Sequence, residues 1–340
     1  MKEKEITIYD IAEKLGLSSA TVSRALNGGK GNKKETIDLV METASQMGYR
    51  LNTVASSLRK KETKTVGLIV PRINMFFHSM VISGVQDKAH EYGYNLLVSQ
   101  SNEEINMEKE LVNTMFLSRV DGLMLSTTMF TKDSSSLDSF IKKKIPLVFF
   151  DRVPQNYTGP VIEGDDYLGG FMATEHLIVN GCKRIAHFTG PTGVNIYKNR
   201  LAGYKDALIK HNLPVDDMII FEHLLTKESS VEVCEKMFAL QELPDALFAS
   251  NDLSAIVAAQ IAKDKGLVIP DDFAIVGYSN DPLTEIFTPS ITSVDQAAYE
   301  LGRLAFQTLH QQMNPVESLI LPRKQVVGVN LIERESSKRQ

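Results

Sequence analysis

From Thr65 onward, short apolar runs alternate with longer stretches of helical periodicity, and this alternation constrains the fold more than any other feature of the chain. The runs fall at Thr65 to Val70, Asn95 to Ser99, Gly122 to Leu125, Pro146 to Phe150, Ile185 to Thr189, Met218 to Phe221, Ala246 to Ala249 and Phe273 to Gly277. Between them, helical spacing is read at about 79–92, 106–117, 168–180, 200–211, 229–238 and 254–265. A strand that is apolar along its whole length must be covered on both faces, which calls for a parallel sheet with helices on either side. Two such series predict two doubly wound α/β lobes, each with its binding residues at the carboxyl ends of its strands. A ligand would then sit between the lobes.

The 340 residues suffice for two to three domains. With 43% hydrophobic and 23% charged residues the composition is that of a folded globular chain. No run approaches the roughly 18 apolar residues of a membrane span, and the opening Met1-Lys-Glu-Lys-Glu lacks the basic-then-apolar order of an export signal. A cytoplasmic location is expected. Cys182 and Cys234 match no ligand or redox spacing and read as reduced, buried thiols.

The net charge of -5 argues against a nucleic-acid partner until the chain is split. Residues 1–61 hold 11 basic against 7 acidic side chains, net +4, and the remainder is net -9. A basic front on an acidic body is expected when one small domain faces phosphates; a solvated charged terminus fits the charge equally well. Within that front, Thr7 and Asp10 form an N-cap pattern before Ile8, Ile11, Ala12 and Leu15, with Gly16 as a stop. Ser18 can cap a second helix from Ser19 to about Leu26, and Asn32 with Glu35 a third, closed by Gly48. Three short helices with a tight turn between the first two read as a helix-turn-helix unit, although an ordinary three-helix bundle has the same pattern. In the first case Arg24 can span guanine O6 and N7, Ser19 can donate or accept, and Ala20 can pack on a thymine methyl.

The residues Tyr9-Asp10-Ile11-Ala12, Gly16-Leu17-Ser18, Thr21-Val22-Ser23-Arg24 and Leu26-Asn27-Gly28, continued by Gly48-Tyr49, Asn52, Ala55 and Leu58, resemble the DNA-binding headpiece of the lactose-repressor and galactose-repressor family. The resemblance implies that Ser19, Ala20 and Arg24 read bases and that Tyr9, Ser18, Thr21, Asn27 and Asn52 hold phosphates. It also implies a hinge helix near residues 52–61 whose Leu58 wedges between base steps in the minor groove of double-stranded operator DNA. The core resembles the periplasmic sugar-binding fold that this family carries, to about Glu333, through Val66-Gly67-Leu68, Phe150-Asp151-Arg152, Arg200-Leu-Ala-Gly203-Tyr204, Asn251-Asp252 and Val276-Gly277-Tyr278. The implied organisation is a headpiece over 1–50, a hinge and linker over 51–62, a core over 63–334 and a tail over 335–340. Within the core, the first lobe would take 63–162 and 292–322 and the second 163–291 and 323–334.

Asp151 follows an apolar strand, where a carboxylate can accept from paired sugar hydroxyls. Asn251, after another strand, offers both donor and acceptor. The resemblance places Arg200 across the cleft as a donor, and Phe77, Arg72 and Ser279 are expected at the effector site with it. Many relatives have an aspartate after Val276-Gly277-Tyr278, and here Ser279-Asn280 stands there instead. Arg72 occupies a position often acidic in the family, which leaves an acidic or phosphorylated sugar open.

No Walker loop, nucleophile elbow or HExxH motif occurs, and the seven histidines have no metal-ligand spacing. Neither enzyme chemistry nor a metal or other cofactor is expected, and Asp165-Asp166 reads as a helix cap. The expected protein is a homodimeric transcriptional regulator, a repressor in the main reading, whose operator affinity responds to a sugar or sugar derivative. The alternative is a sugar-binding sensor or transport protein with no DNA role.

Overall fold

A computed structural model describes residues 6–26, 31–49, 62–314, 316 and 322–339. The chain divides into two units, Met1–Thr63 and Lys64–Gln340. In the first, helices α1 (Ile8–Leu15), α2 (Ser19–Leu26) and α3 (Lys34–Gln46) enclose a small core of Ile11, Val22, Ala25 and Val40. Thr7 and Asp10 form a reciprocal capping box at the start of α1, and Gly16 ends it at φ 60°. Ser18 Oγ accepts from the Thr21 amide at 3.1 Å and so caps α2. The expected Asn32 cap is not formed. Its amide donates instead to the Thr21 carbonyl at 3.0 Å, tying the approach to α3 onto α2, and the N-cap position of α3 is Lys33, which makes no side-chain cap. Asn27 and the expected hinge residues Asn52 and Leu58 lie outside the described residues.

The second unit is built as predicted from two doubly wound lobes. The chain first lays down β1 (Thr65–Val70), α4 (Phe76–Glu91), β2 (Asn95–Gln100), α5 (Ile105–Leu117), β3 (Gly122–Leu125), α6 (Asp138–Lys143), β4 (Leu147–Phe150) and β5 (Val161–Gly164). It then crosses to the second lobe for α7 (Asp166–Val179), β6 (Ile185–Thr189), α8 (Asn195–Lys210), β7 (Ile220–Glu222), α9 (Lys227–Phe238), β8 (Ala246–Ala249), α10 (Asp252–Asp264), β9 (Ala274–Tyr278), α11 (Leu283–Ile286) and β10 (Thr292–Asp295). Helix α12 (Ala298–Met313) and β11 (Lys324–Val327) return to the first lobe, and β12 (Asn330–Ile332) ends in the second. The sheet orders are β11-β5-β4-β3-β1-β2 and β12-β10-β9-β8-β6-β7. Every pairing is parallel except β10 with β12.

Three expected boundaries move. Thr292–Asp295 stays in the second lobe because it extends the parallel ladder of β9, with Thr292 opposite Val276. Lys324–Val327 belongs to the first lobe, pairing with β5 from Lys324 opposite Val161, and β5 itself runs on to Gly164. The expected tail is docked: Ser336 and Ser337 are buried, and Ser336 Oγ donates to the Ile275 carbonyl at 2.6 Å. Helices α7 and α8 approach to backbone contact, since a Cβ on Gly203 would lie 2.1 Å from the Tyr167 carbonyl oxygen and one on Gly170 2.2 Å from that of Arg200. Only glycine allows this spacing, and it fixes where Arg200 stands.

Candidate functional site

On the headpiece, α2 turns Val22, Ala25 and Leu26 inward and leaves Ala20 and Arg24 exposed, with Ser19 partly so. Arg24 has no hydrogen bond or ion pair among the described residues, so its guanidinium is available to a partner. The Ser18 and Thr21 hydroxyls lie 2.8 Å apart at the start of the same helix. Tyr9, on α1, is 69% exposed. A small basic domain thus offers one helix face with a bidentate donor, a hydroxyl and a methyl, the set needed to read a major groove.

In the core, a cavity of about 530 Å³ lies between the lobes. All six predicted effector residues, Arg72, Phe77, Asp151, Arg200, Asn251 and Ser279, line it. Their availability differs sharply. Asp151 follows β4 in a left-handed conformation (φ 59°) and is buried; its Oδ2 accepts from Ser126 Oγ at 3.1 Å. Burial raises its pKa, opposed by the charges of Arg152 and Arg200. Asn251 is occupied as the cap of α10, accepting from the Ser254 amide at 3.0 Å while its amide donates to the Leu225 carbonyl at 3.0 Å. Ser279 Oγ accepts from Gln296 Nε2 at 2.8 Å.

Arg200 is the most committed of all. Its Nε donates to Asp166 Oδ1 at 2.8 Å, Nη1 to the Ser250 carbonyl at 2.7 Å and Nη2 to Gln296 Oε1 at 3.0 Å, and the guanidinium lies 3.6 Å from the Tyr278 ring centroid. Contrary to the expectation for the pair, Asp166 does not cap α7; Asp165 alone does, accepting from the Leu168 amide at 3.0 Å. Burial pushes the Asp166 carboxyl up to about 6 even with Arg200 against it, so desolvation outweighs the ion pair there.

Sequence reasoning did not select several further residues at the cavity, of which Arg152, Tyr197 and Asn195 join the lobes. Arg152 donates from Nη1 to Glu103 Oε1 at 2.7 Å and from Nη2 to the Tyr197 hydroxyl at 3.1 Å. Asn195 donates to the Asp151 carbonyl at 2.8 Å and accepts from the Val153 amide at 3.1 Å. His78, buried beside Phe77, has Nε2 3.9 Å from Asp151 Oδ2. The usable signal for Arg152 and His78 was adjacency to Asp151 and Phe77; for Tyr197 it was the helical i, i+3 relation to Arg200.

The family model described as bacterial regulatory proteins, lacI family, matches residues 7–52, and that of a periplasmic binding protein-like domain matches 174–337. Catabolite control protein A of Priestia megaterium is 35% identical over 310 residues, spanning 91% of this chain and 93% of its own. The chain belongs to the lacI family of bacterial regulatory proteins. The transcriptional regulator CelR in complex with cellobiose aligns over 98% of this chain and all of its own, at 26% identity and a TM-score of 0.74. The lac repressor dimer bound to operator and the anti-inducer ONPF aligns over 98% and 99%, at 24% identity and a TM-score of 0.88, a likeness of fold. As a lacI-family member the chain is a transcriptional regulator with an N-terminal DNA-binding domain and a ligand-binding core, and effector control of DNA binding is its function. Among the described residues no helix is long and apolar enough to cross a membrane, and no group of three or more His, Cys, Asp or Glu could hold a metal.

Proposed function

We propose that this lacI-family regulator is a cytoplasmic homodimer without enzymatic activity. It binds a two-fold-symmetric operator through paired headpieces and changes its operator affinity when a sugar or sugar derivative fills the interlobe cavity. Ser19, Ala20 and Arg24 are assigned to base edges, and Tyr9, Ser18 and Thr21 to phosphates, with Leu58, Asn27 and Asn52 completing the DNA contact. Asp151 is the main polar contact for the effector, backed by Phe77, Ser279 and Arg72. Arg200 and Asn251 build the cavity wall. The observation that carries this reading is a cavity lined from both lobes in the chain that bears an exposed, basic reading helix. A ligand that touches both lobes binds their arrangements unequally, which is the condition for shifting a distant equilibrium.

Selection of random DNA duplexes by the full chain tests the DNA half. The expected product is a symmetric site with two half-sites about one helical turn apart. Arg24→Ala should then cost about 1–3 kcal/mol and relax preference at one base pair per half-site. Uniform weakening over all sequences would make Arg24 a phosphate contact instead.

A further inference from the structure

The large polar side chains of the interlobe cavity are mostly bonded to the protein itself. Arg200 is held by Asp166 and the Ser250 carbonyl, and Arg152 by Glu103 and Tyr197. Gln296 accepts from Arg200 at 3.0 Å and donates to Ser279 Oγ at 2.8 Å. Asp252 accepts from Ser293 Oγ at 2.6 Å and from the Asp281 amide at 2.8 Å. A ligand group that bonds to any of these replaces a bond already made, so the net gain is small. Most of the binding energy has to come from other surface.

Apolar side chains supply that surface. Phe130 of the first lobe is 44% exposed, Leu224 of the second is 49% exposed, and both line the cavity. Their sequence neighbours Met129 and Leu225 belong to one cluster with Ile196 and Tyr197, so the lobes meet beside them. Neither side chain hangs on a slack loop. The Thr128 amide donates to Glu108 Oε2 at 2.8 Å, the Met129 amide to Glu103 Oε2 at 3.0 Å and the Phe130 amide to Thr128 Oγ1 at 3.2 Å. Leu224 stands between the His223 amide, which donates to the Thr189 carbonyl at 2.9 Å, and the Thr226 capping box of α9. Segments fixed in this way have already lost the freedom that holding an apolar group would otherwise cost. A second copy of the chain would need about 800 Å² on its side of a stable interface. A concave wall around about 530 Å³ is too small for that and suits a small molecule.

Resting on the reading that the cavity holds the effector, we infer that the effector is amphipathic, with a polar head at the Asp151 end and an apolar carbon arm against Phe130 and Leu224. An arm that touches one side chain from each lobe binds best where the two are brought together, so its burial favours one lobe arrangement over the others.

Calorimetry of the full chain with n-alkyl β-D-glucosides, β-D-galactosides and β-D-cellobiosides, from methyl to hexyl, reads the arm by its length. For a head that binds, affinity is expected to rise about 2- to 4-fold per methylene. The heat-capacity change should grow more negative with it, and the rise should level off once the arm outgrows the cavity. Phe130→Ser and Leu224→Ser should each flatten the rise. The rise is read first on the unaltered chain, so a variant that fails to fold does not remove the test. A methyl glycoside that binds as tightly as its hexyl counterpart would overturn the arm and leave the effector reading standing. A rise untouched by either substitution would mark unspecific adsorption and overturn it too. Loss of the dimer in Leu224→Ser by sedimentation, with the rise unchanged, would overturn it in favour of a second copy at that side chain. Binding by no member of any series would count against the sugar reading itself and withdraw the arm with it.

Discussion

Arg152, two residues beyond a first-lobe strand, donates from Nη2 to the hydroxyl of Tyr197 at 3.1 Å, on the opening turn of a second-lobe helix. Both side chains are buried, so the bond joins the lobes at the base of the cavity with little solvent to replace it. A buried donor stripped of its partner costs about 1–3 kcal/mol. Tyr197→Phe should lower the stability of the core by that amount in urea unfolding. In a double-mutant cycle with Arg152→Met, the coupling should be of similar size. A coupling indistinguishable from zero would mean that the two side chains are neighbours without being a bridge.

Arg200 carries a different expectation from the one its sequence position suggests. With its three hydrogen bonds and the Asp166 ion pair lost, Arg200→Ala leaves a buried carboxylate uncompensated, which typically costs about 3–5 kcal/mol. Equilibrium unfolding of the variant should show that loss, and Arg200→Met combined with Asp166→Asn should recover part of it. A variant with unaltered stability and a missing effector response would instead restore Arg200 as a direct ligand contact.

That contrast marks what could be read from sequence. Thr7 with Asp10, Gly16, and the placing of Asp151 at a strand end depend on neighbours within a few residues, and periodicity or spacing exposes them. The partners of Arg200 are 34, 50 and 96 positions away, at Asp166, Ser250 and Gln296, a distance at which no local pattern operates. Strand β10 reads Thr-Ser-Val-Asp, too polar to mark as a buried strand. It is buried because its hydroxyls have partners: Ser293 Oγ donates to Asp252 Oδ1 at 2.6 Å, and Thr292 Oγ1 pairs with Ser337 Oγ. The helices that start at Phe76 and Asn195 likewise begin before the spacing predicts, since their first turns carry cavity residues in place of an apolar stripe.

The buried histidines make the core acid-sensitive in a way that can be assigned. His187 donates from Nδ1 to the Phe248 carbonyl at 2.9 Å and is stacked between Tyr204 and Phe248; burial pushes its pKa down from 6.5 to about 3. The folded state thus binds this proton more weakly than the unfolded chain does. No stability is lost to it above pH 6.5, and the loss grows as pH falls toward 3. At pH 5 it amounts to about 2 kcal/mol. Asp166 and Asp252, both raised to about 6 by burial, act in the opposite sense, being least favourable above pH 6 and relieved below it. Comparison of variants therefore isolates the histidine better than the wild-type slope does. Between pH 7.5 and pH 5.0, His187→Asn should lose about 2 kcal/mol less stability than wild type; parallel curves would show that His187 does not titrate as described.

The central claim is that the interlobe cavity controls the headpieces, and operator affinity measured by fluorescence anisotropy, with and without a compound that calorimetry shows to bind the core, tests it most directly. Saturating compound should change the affinity of wild type for its selected operator by about 5- to 150-fold, the usual span of such couplings. Asp151→Asn, in the cavity and remote in sequence from the headpiece, should keep the ligand-free affinity and lose most of that change. An operator affinity that stays the same while the cavity is demonstrably occupied would contradict the account.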